Sequence, residues 1–196
     1  MPRHNRGNVL YDGCYAHVYS RALEKRHIFR DDNDFNNFKK LLFETQKKQE
    51  YRIFHYCLMH THFHLIISPN KLEEFCLGIK EIKQKYAKWY QEKYDHKGPI
   101  WWGRFGSQLI ENEKYLYACG LYVEMNPVKA GMVTSPEHWN YSSSKHYFLE
   151  QKDQLISNYD SPSYETGIDL TEGLNVGMGA YIGSPAFIVN ETKGIK

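Results

Sequence analysis

The residues most able to do chemistry in this chain are the histidines of Met59-His60-Thr61-His62-Phe63-His64-Leu65-Ile66-Ile67. On a strand, side chains alternate between faces, so His60, His62, His64 and Ser68 line one face while Met59, Phe63, Leu65 and Ile67 line the other. The apolar face suits packing against helices, which leaves the imidazoles on a working face. Two imidazoles two residues apart on a strand point the same way, and neutral imidazole is a common ligand of divalent ions. The pattern suits a metal without demanding one.

A second group lies downstream. Tyr115, Tyr117 and Tyr122 fall in one helical stretch, and spacing alone privileges none of them. Tyr122 and Asn126 stand at i and i+4, so they share a helix face, where a phenol and an amide oxygen can address the same metal-bound phosphate. A tyrosine hydroxyl becomes a covalent nucleophile once a cation polarises the phosphodiester it attacks.

These groups need a scaffold, and the chain supplies an alternation of strands and helices. Cys14–Arg21 alternates as a first strand. Asp31-Asp32-Asn33-Asp34 offers N-caps for a helix with Phe35, Phe38, Leu41, Leu42 and Thr45 at helical spacing, running to about Gln49. Residues 51–68 form one or two strands, with a break near His60-Thr61. The longest helical pattern spans 70–94, with Phe75, Ile79, Ile82, Tyr86, Trp89 and Lys93 on one stripe. Lys80, Lys83, Lys85 and Lys88 form its other face, a solvated face that beside DNA would track phosphates. Trp101-Trp102-Gly103-Arg104-Phe105 reads as an aromatic loop before a short strand ending at Ile110. A third helix runs from about Glu111, capped by Asn112, to Met125, because Pro127 disfavours helical geometry at Asn126. A further short helix is expected around 139–147. The order fits an α+β fold with an antiparallel sheet and helices packed on it.

With 41% hydrophobic residues in 196, the chain can bury one main core. Residues 1–13 read as a flexible basic arm, 14–150 as the domain, and 151–196 as a partly ordered C-terminal extension with a helix start at Ser184-Pro185. A net charge of +2 permits a polyanionic partner without arguing for one. Cys14, Cys57, Cys76 and Cys119 lack Cys-x-x-Cys spacing, which excludes a zinc ribbon or redox motif and fits small buried residues in a reducing compartment. The first residues lack an apolar signal region, and no apolar run approaches membrane-spanning length. A soluble, cytoplasmic protein without membrane contact is expected.

Met59-x-x-His62-Phe63-His64-Leu65, then Trp102-Gly103-Arg104-Phe105, then Tyr122-Val123-Glu124-Met125-Asn126-Pro127-Val128-Lys129-Ala130-Gly131 resembles the REP-associated tyrosine transposases. These are single-strand insertion-sequence transposases within the HUH endonuclease superfamily. The resemblance runs from about Cys14 to Tyr147 and includes Ile28-Phe29-Arg30-Asp31-Asp32. It implies a ferredoxin-like α/β sandwich in which His62 and His64 hold Mg²⁺ or Mn²⁺, Tyr122 is the nucleophile and Asn126 can complete the metal site. It further implies cleavage and joining of single-stranded or hairpin DNA through a 5′-phosphotyrosine, by a monomer or a homodimer. The alternative is a domesticated hairpin-binding protein without productive strand transfer.

His60 stands where this pattern usually has proline; on the parity of the two ligands it offers a third, but its side chain points elsewhere if the strand begins after it, and the expected metal pair is His62 and His64. Arg104 is a candidate for bidentate phosphate contact, with Arg21, Lys83 and Lys129 as further DNA contacts, while Trp101 and Trp102 read as core residues.

Overall fold

The structure, a computed structural model, describes residues 10–111 and 113–159. Strands β1 (Tyr15–Arg21), β2 (Tyr51–Met59), β3 (His62–Pro69) and β4 (Gly106–Ile110) form one sheet in the order β2-β3-β1-β4. Every neighbouring pair is antiparallel. Helix α1 (Asp32–Gln49) links β1 to β2 and α2 (Leu72–Tyr94) links β3 to β4, which makes the βαββαβ order of a ferredoxin-like α+β sandwich. Helices α3 (Glu113–Glu124), α4 (Asn126–Lys129) and α5 (Ser144–Phe148) follow.

The alternation of side chains sorts the sheet into two faces. Ala16, Val18, Phe63, Leu65 and Ile67 join Phe35, Phe38 and Leu42 of α1 and Phe75, Ile79, Ile82 and Tyr86 of α2 in one core. The opposite parity presents His17, His62 and His64, and on β2 His55, Cys57 and Met59, to the side where α3 lies against β2 and β3. The hairpin turn at His60-Thr61 decides this sorting. Met59 ends β2 and pairs with His62, so it belongs to the histidine face and not with Phe63 as a single continuous strand would have it.

Local chemistry explains the helix ends. Asp31 caps α1 by accepting from Asp34 N–H at 3.1 Å, while Asp34 accepts from Asp31 N–H at 3.3 Å. Asp34 is fully buried, and its charge is answered by Lys93 at 2.8 Å and the Tyr94 hydroxyl, both from the last turn of α2. Residues 10–13, read in the sequence as the end of an arm, belong to the fold. Leu10 is buried, Asp12 accepts from Leu72 N–H at the start of α2, and Gly13 N–H donates to Pro69 O. α3 ends at Glu124, within one residue of the end expected ahead of Pro127, and Asn126–Lys129 makes a separate helical turn with the proline near its start.

The free edge of β2 is covered. Leu58 N–H bonds Tyr141 O, Trp139 Nε1 donates to Leu58 O, and Ser157 N–H donates to Ile53 O. One compact unit therefore runs through Asn158, past the boundary at 150, because Leu155 is buried in the core and Asp153 accepts from the Tyr56 hydroxyl. The Ser184-Pro185 helix start, the Asn112 cap and residues 1–9 of the basic arm lie outside the described residues. No described helix is long and apolar enough to cross a membrane. Cys14 and Cys57 are buried and Cys76 and Cys119 half-buried, all as free thiols.

Helix α3 packs closely on β2 at Gly120, where a Cβ would collide with the His55 ring. Gly120→Ala is therefore expected to destabilise the fold by about 1–3 kcal/mol in urea unfolding, despite the better helix propensity of alanine. A neutral or stabilising effect would show that α3 stands farther from β2.

Candidate functional site

Strand β3 carries His62 and His64, and β1 lies alongside with Tyr19 opposite His64 and Arg21 opposite His62. The rings of His62 and His64 are 5.0 Å apart and nearly perpendicular. His17, two residues before Tyr19 on β1, brings Nε2 to 2.9 Å from His64 Nδ1, with the two rings stacked. Tyr122 comes in from α3. Its ring stands edge-on at 6.3 Å from His64 and 6.4 Å from His17. Gly106 on β4 clears room for Tyr19, since a Cβ there would collide with the phenol ring.

Burial sets the protonation of this cluster. It lowers His17 and His62 from 6.5 to about 4 each. It drives His64 well below 6.5, with His62 and His17 adding like-charge repulsion. All three are therefore neutral near pH 7, the form in which imidazole donates a lone pair to a cation. Among the described residues no set of three or more His, Cys, Asp and Glu side chains is gathered around an ion-sized space. The neutral pair His62 and His64 nevertheless fits the donor set of a divalent ion that takes its remaining ligands from amide, water or phosphate oxygen. Burial, and after it the Cys119 thiol, raises the Tyr122 phenol above its ordinary value.

The other sequence-derived candidates separate into three groups. Asn126 donates through Nδ2 to Tyr122 O at 2.9 Å and Val123 O at 3.2 Å, so its nitrogen closes the end of α3 and its oxygen is the atom available for a cation. Lys129 stands with Nζ 4.2 Å over the Tyr122 ring. Arg21 and Arg104 are exposed, and the Arg21 guanidinium lies 5.1 Å over Trp102. Lys83 departs from expectation: it is 7% exposed and donates to Ser20 Oγ at 2.7 Å and Gly103 O at 2.9 Å. Its ammonium ties α2 to the sheet and the 99–105 segment, whereas Lys80, Lys85 and Lys88 are the solvated lysines of that helix.

Two further readings resolve. His60 sits in the hairpin turn, donates from Nδ1 to Phe29 O at 2.6 Å and stacks on His27, away from the histidine face. Trp101 is a core residue whose Nε1 donates to Lys83 O, but Trp102 is 55% exposed beneath Arg21, so only one of the two tryptophans is structural. The sequence reading missed His17. The signal was present in β1, where Tyr15, His17, Tyr19 and Arg21 alternate with Ala16, Val18 and Ser20. A cavity of about 570 Å³ beside α2, walled by Ile100, Trp101 and Phe105 and rimmed by Lys80 and Arg104, contains none of these histidines.

The depressed histidines make a stability prediction. An unfolded chain takes up protons as pH falls through about 6.5, while the folded cluster refuses them until about 4. Stability is thus whole above 6.5 and is lost toward 4, by up to about 1.4 kcal/mol per pH unit for a buried histidine such as His17. His17→Gln should flatten the urea-derived stability curve in this window by about one proton. An unchanged slope would show that His17 titrates normally in the folded chain.

Comparison with solved structures gives the fold a context. A REP-associated tyrosine transposase bound to a REP hairpin is 17% identical, with 82% of this chain and 100% of that chain covered at a TM-score of 0.63. A candidate transposase from Deinococcus radiodurans R1 is 14% identical over 63% of this chain and 96% of that one, at a TM-score of 0.43. The tRNA(His) guanylyltransferase of Saccharomyces cerevisiae is 11% identical over 66% and 62%, at 0.45. The first shows a shared fold; the other two are too distant to carry an argument. No curated protein matches the chain. The sequence profile of the IS200-like transposases does, over residues 10–126, from before β1 to Asn126. That span is more than half of the 196 residues and includes the histidine pair and Tyr122, and the chain belongs to the IS200-like transposase family.

Proposed function

We propose that this protein is a metal-dependent single-strand DNA transposase that cleaves and rejoins DNA at hairpins through a 5′-phosphotyrosine on Tyr122. The observation that carries the reading is the approach of Tyr122, from α3, to His64, which with His62 makes a neutral pair on β3. Family membership supports transposition, and the hairpin-bound relative of the same fold supports structured DNA as the partner.

His62 and His64 would hold Mg²⁺ or Mn²⁺, with the Asn126 amide oxygen as a further donor. The bound cation would withdraw charge from the scissile phosphate. Tyr122 forms the new bond to phosphorus in line with the bond that breaks, and the departing 3′-oxygen leaves as a hydroxyl. Tyr122, an ordinary phenol raised further by burial, is protonated at neutral pH; it gives that proton to solvent as its oxygen bonds to phosphorus, and the departing 3′-oxygen takes one up from solvent. Lys129 holds the ring from above by its cation–π contact, which strengthens as the phenol gains negative charge. Attack by a second 3′-hydroxyl on the phosphotyrosine then joins strands and returns Tyr122. Arg21 and Arg104 offer cations to the DNA backbone, and exposed Trp102 beside Arg21 offers a ring on which an unpaired base can stack.

Labelled hairpin oligonucleotides with Mn²⁺ or Mg²⁺ test this. Wild type should yield a denaturant-resistant adduct and Tyr122→Phe none; an adduct that survives Tyr122→Phe removes the nucleophile assignment. Hairpin binding without any adduct from wild type would assign the chain to DNA-binding proteins that keep the fold but not strand transfer. His62→Ala should lower metal-dependent cleavage by about 100-fold or more while keeping hairpin affinity. Equal loss of both would make His62 a folding residue. Arg104→Ala should weaken hairpin binding and reduce its salt slope by about one, and an unchanged slope would take Arg104 off the backbone.

A further inference from the structure

A buried polar group lies under the last turn of α3, apart from the histidine pair. Glu124, the final residue of α3, is 2% exposed, His55 on β2 is 4% exposed and Ser143, which precedes α5, is 0% exposed. His55 donates from Nδ1 to Glu124 Oε1 at 2.8 Å, and Ser143 Oγ donates to the same oxygen at 2.7 Å. Ser143 is anchored on β2, since its N–H donates to Tyr56 O and its Oγ accepts from Tyr56 N–H, both at 3.0 Å. His55 is held on its flank by Tyr147 of α5, stacked at 4.4 Å, whose hydroxyl donates to Phe54 O.

A carboxylate and an imidazole buried together give up hydration that apolar residues of the same size would not, so their directionality is what such a pair supplies. Here the direction is specific. The His55 ring packs under Gly120, where any Cβ would collide with it, and its Nδ1 reaches Glu124 one turn later on the same helix. Two contacts one turn apart fix both the height of α3 above the sheet and its rotation. Tyr122 lies between them in sequence, on another side of the helix. Turning the helix by one residue, about 100°, would carry its ring off His64 and His17. A greasy contact in the same place would let the helix slide; a carboxylate with two donors does not.

We infer that Glu124, His55 and Ser143 form a clamp that sets the rotational register of α3 and so holds Tyr122 against His64 and His17. Glu124 and His55 are positioning residues, and their part in the reaction rests on the proposed role of Tyr122. The clamp itself is testable without that role.

Hydrogen exchange on the full chain without DNA reads the register. Glu124→Ala should speed exchange of the α3 amides by about 10- to 100-fold while the β1 and β3 amides keep their protection. Glu124→Gln retains an acceptor oxygen and should stay within about threefold of wild type. In the hairpin reaction, well below the melting midpoint of each variant, Glu124→Ala should form the Tyr122 adduct about 100-fold more slowly with hairpin affinity unchanged, and Glu124→Gln should recover most of the rate. Wild-type exchange and rate in folded Glu124→Ala would overturn the clamp, as would loss of hairpin affinity in step with rate. Should Glu124→Ala fail to fold, Ser143→Ala removes one of the two donors, and a wild-type rate and α3 exchange there would equally overturn it. If wild type forms no adduct, the nucleophile assignment fails, and exchange of the α3 amides still decides the clamp.

Discussion

Antiparallel pairing of β1 with β3 in a single register is the constraint on which the rest of the structure depends. With Val18 opposite Leu65 and Tyr19 opposite His64, Ala16, Val18, Phe63, Leu65 and Ile67 fall on the side of α1 and α2, and His17, His62 and His64, together with Ile66, on the other. A slip of β1 by one residue would put His17 into the apolar core and Val18 under α3. The apolar residues hold the register because Ala16, Val18, Phe63, Leu65 and Ile67 are all fully buried. The chemistry of the histidine face is thus guaranteed by burial on the opposite one.

The histidine face is partly dry, and this gives the cluster its character. Three imidazoles brought together under a helix cannot all carry charge, so burial keeps them neutral and leaves lone pairs to be used. The same cover raises the Tyr122 phenol. One enclosure therefore acts on both kinds of group, keeping the imidazoles neutral and the phenol protonated at neutral pH.

Elements far from the histidines serve the same arrangement by fixing the two layers of helices. Lys93 and Tyr94 at the end of α2 answer the buried Asp34 at the start of α1, which locks the two helices that form the apolar layer. Lys83 braces α2 against Ser20 and Gly103. On the other side, segment 139–143 and residues 155–157 seal the edge of β2, and Ser143 of the first also donates to Glu124. The sheet edge and the helix carrying Tyr122 are thus fastened by one set of contacts.

Much of this was legible along the chain, because it depends on local periodicity and capping. The Asp31 cap, the apolar stripe of α2, the strand parity of His62 and His64, and the spacing of Tyr122 and Asn126 are all local patterns. Other features depend on which strands become neighbours, and no local pattern carries that. His17 acquires meaning only when β1 pairs with β3 and brings its nitrogen to His64. Lys83 looked like one of four solvated lysines until the 99–105 segment closed over it, and Trp102 looked like core until it was left outside beneath Arg21. Met59 changed faces because a two-residue turn, not a continuous strand, separates it from His62. The sequence by itself determined the alternation within each strand and the apolar stripe of each helix, since those follow from side-chain period, but not where β2 ends and so not the face of Met59. The tertiary structure alone decided which faces meet, because long-range pairing, burial and the contact of β2 with α3 and α5 are set by residues far apart in the chain.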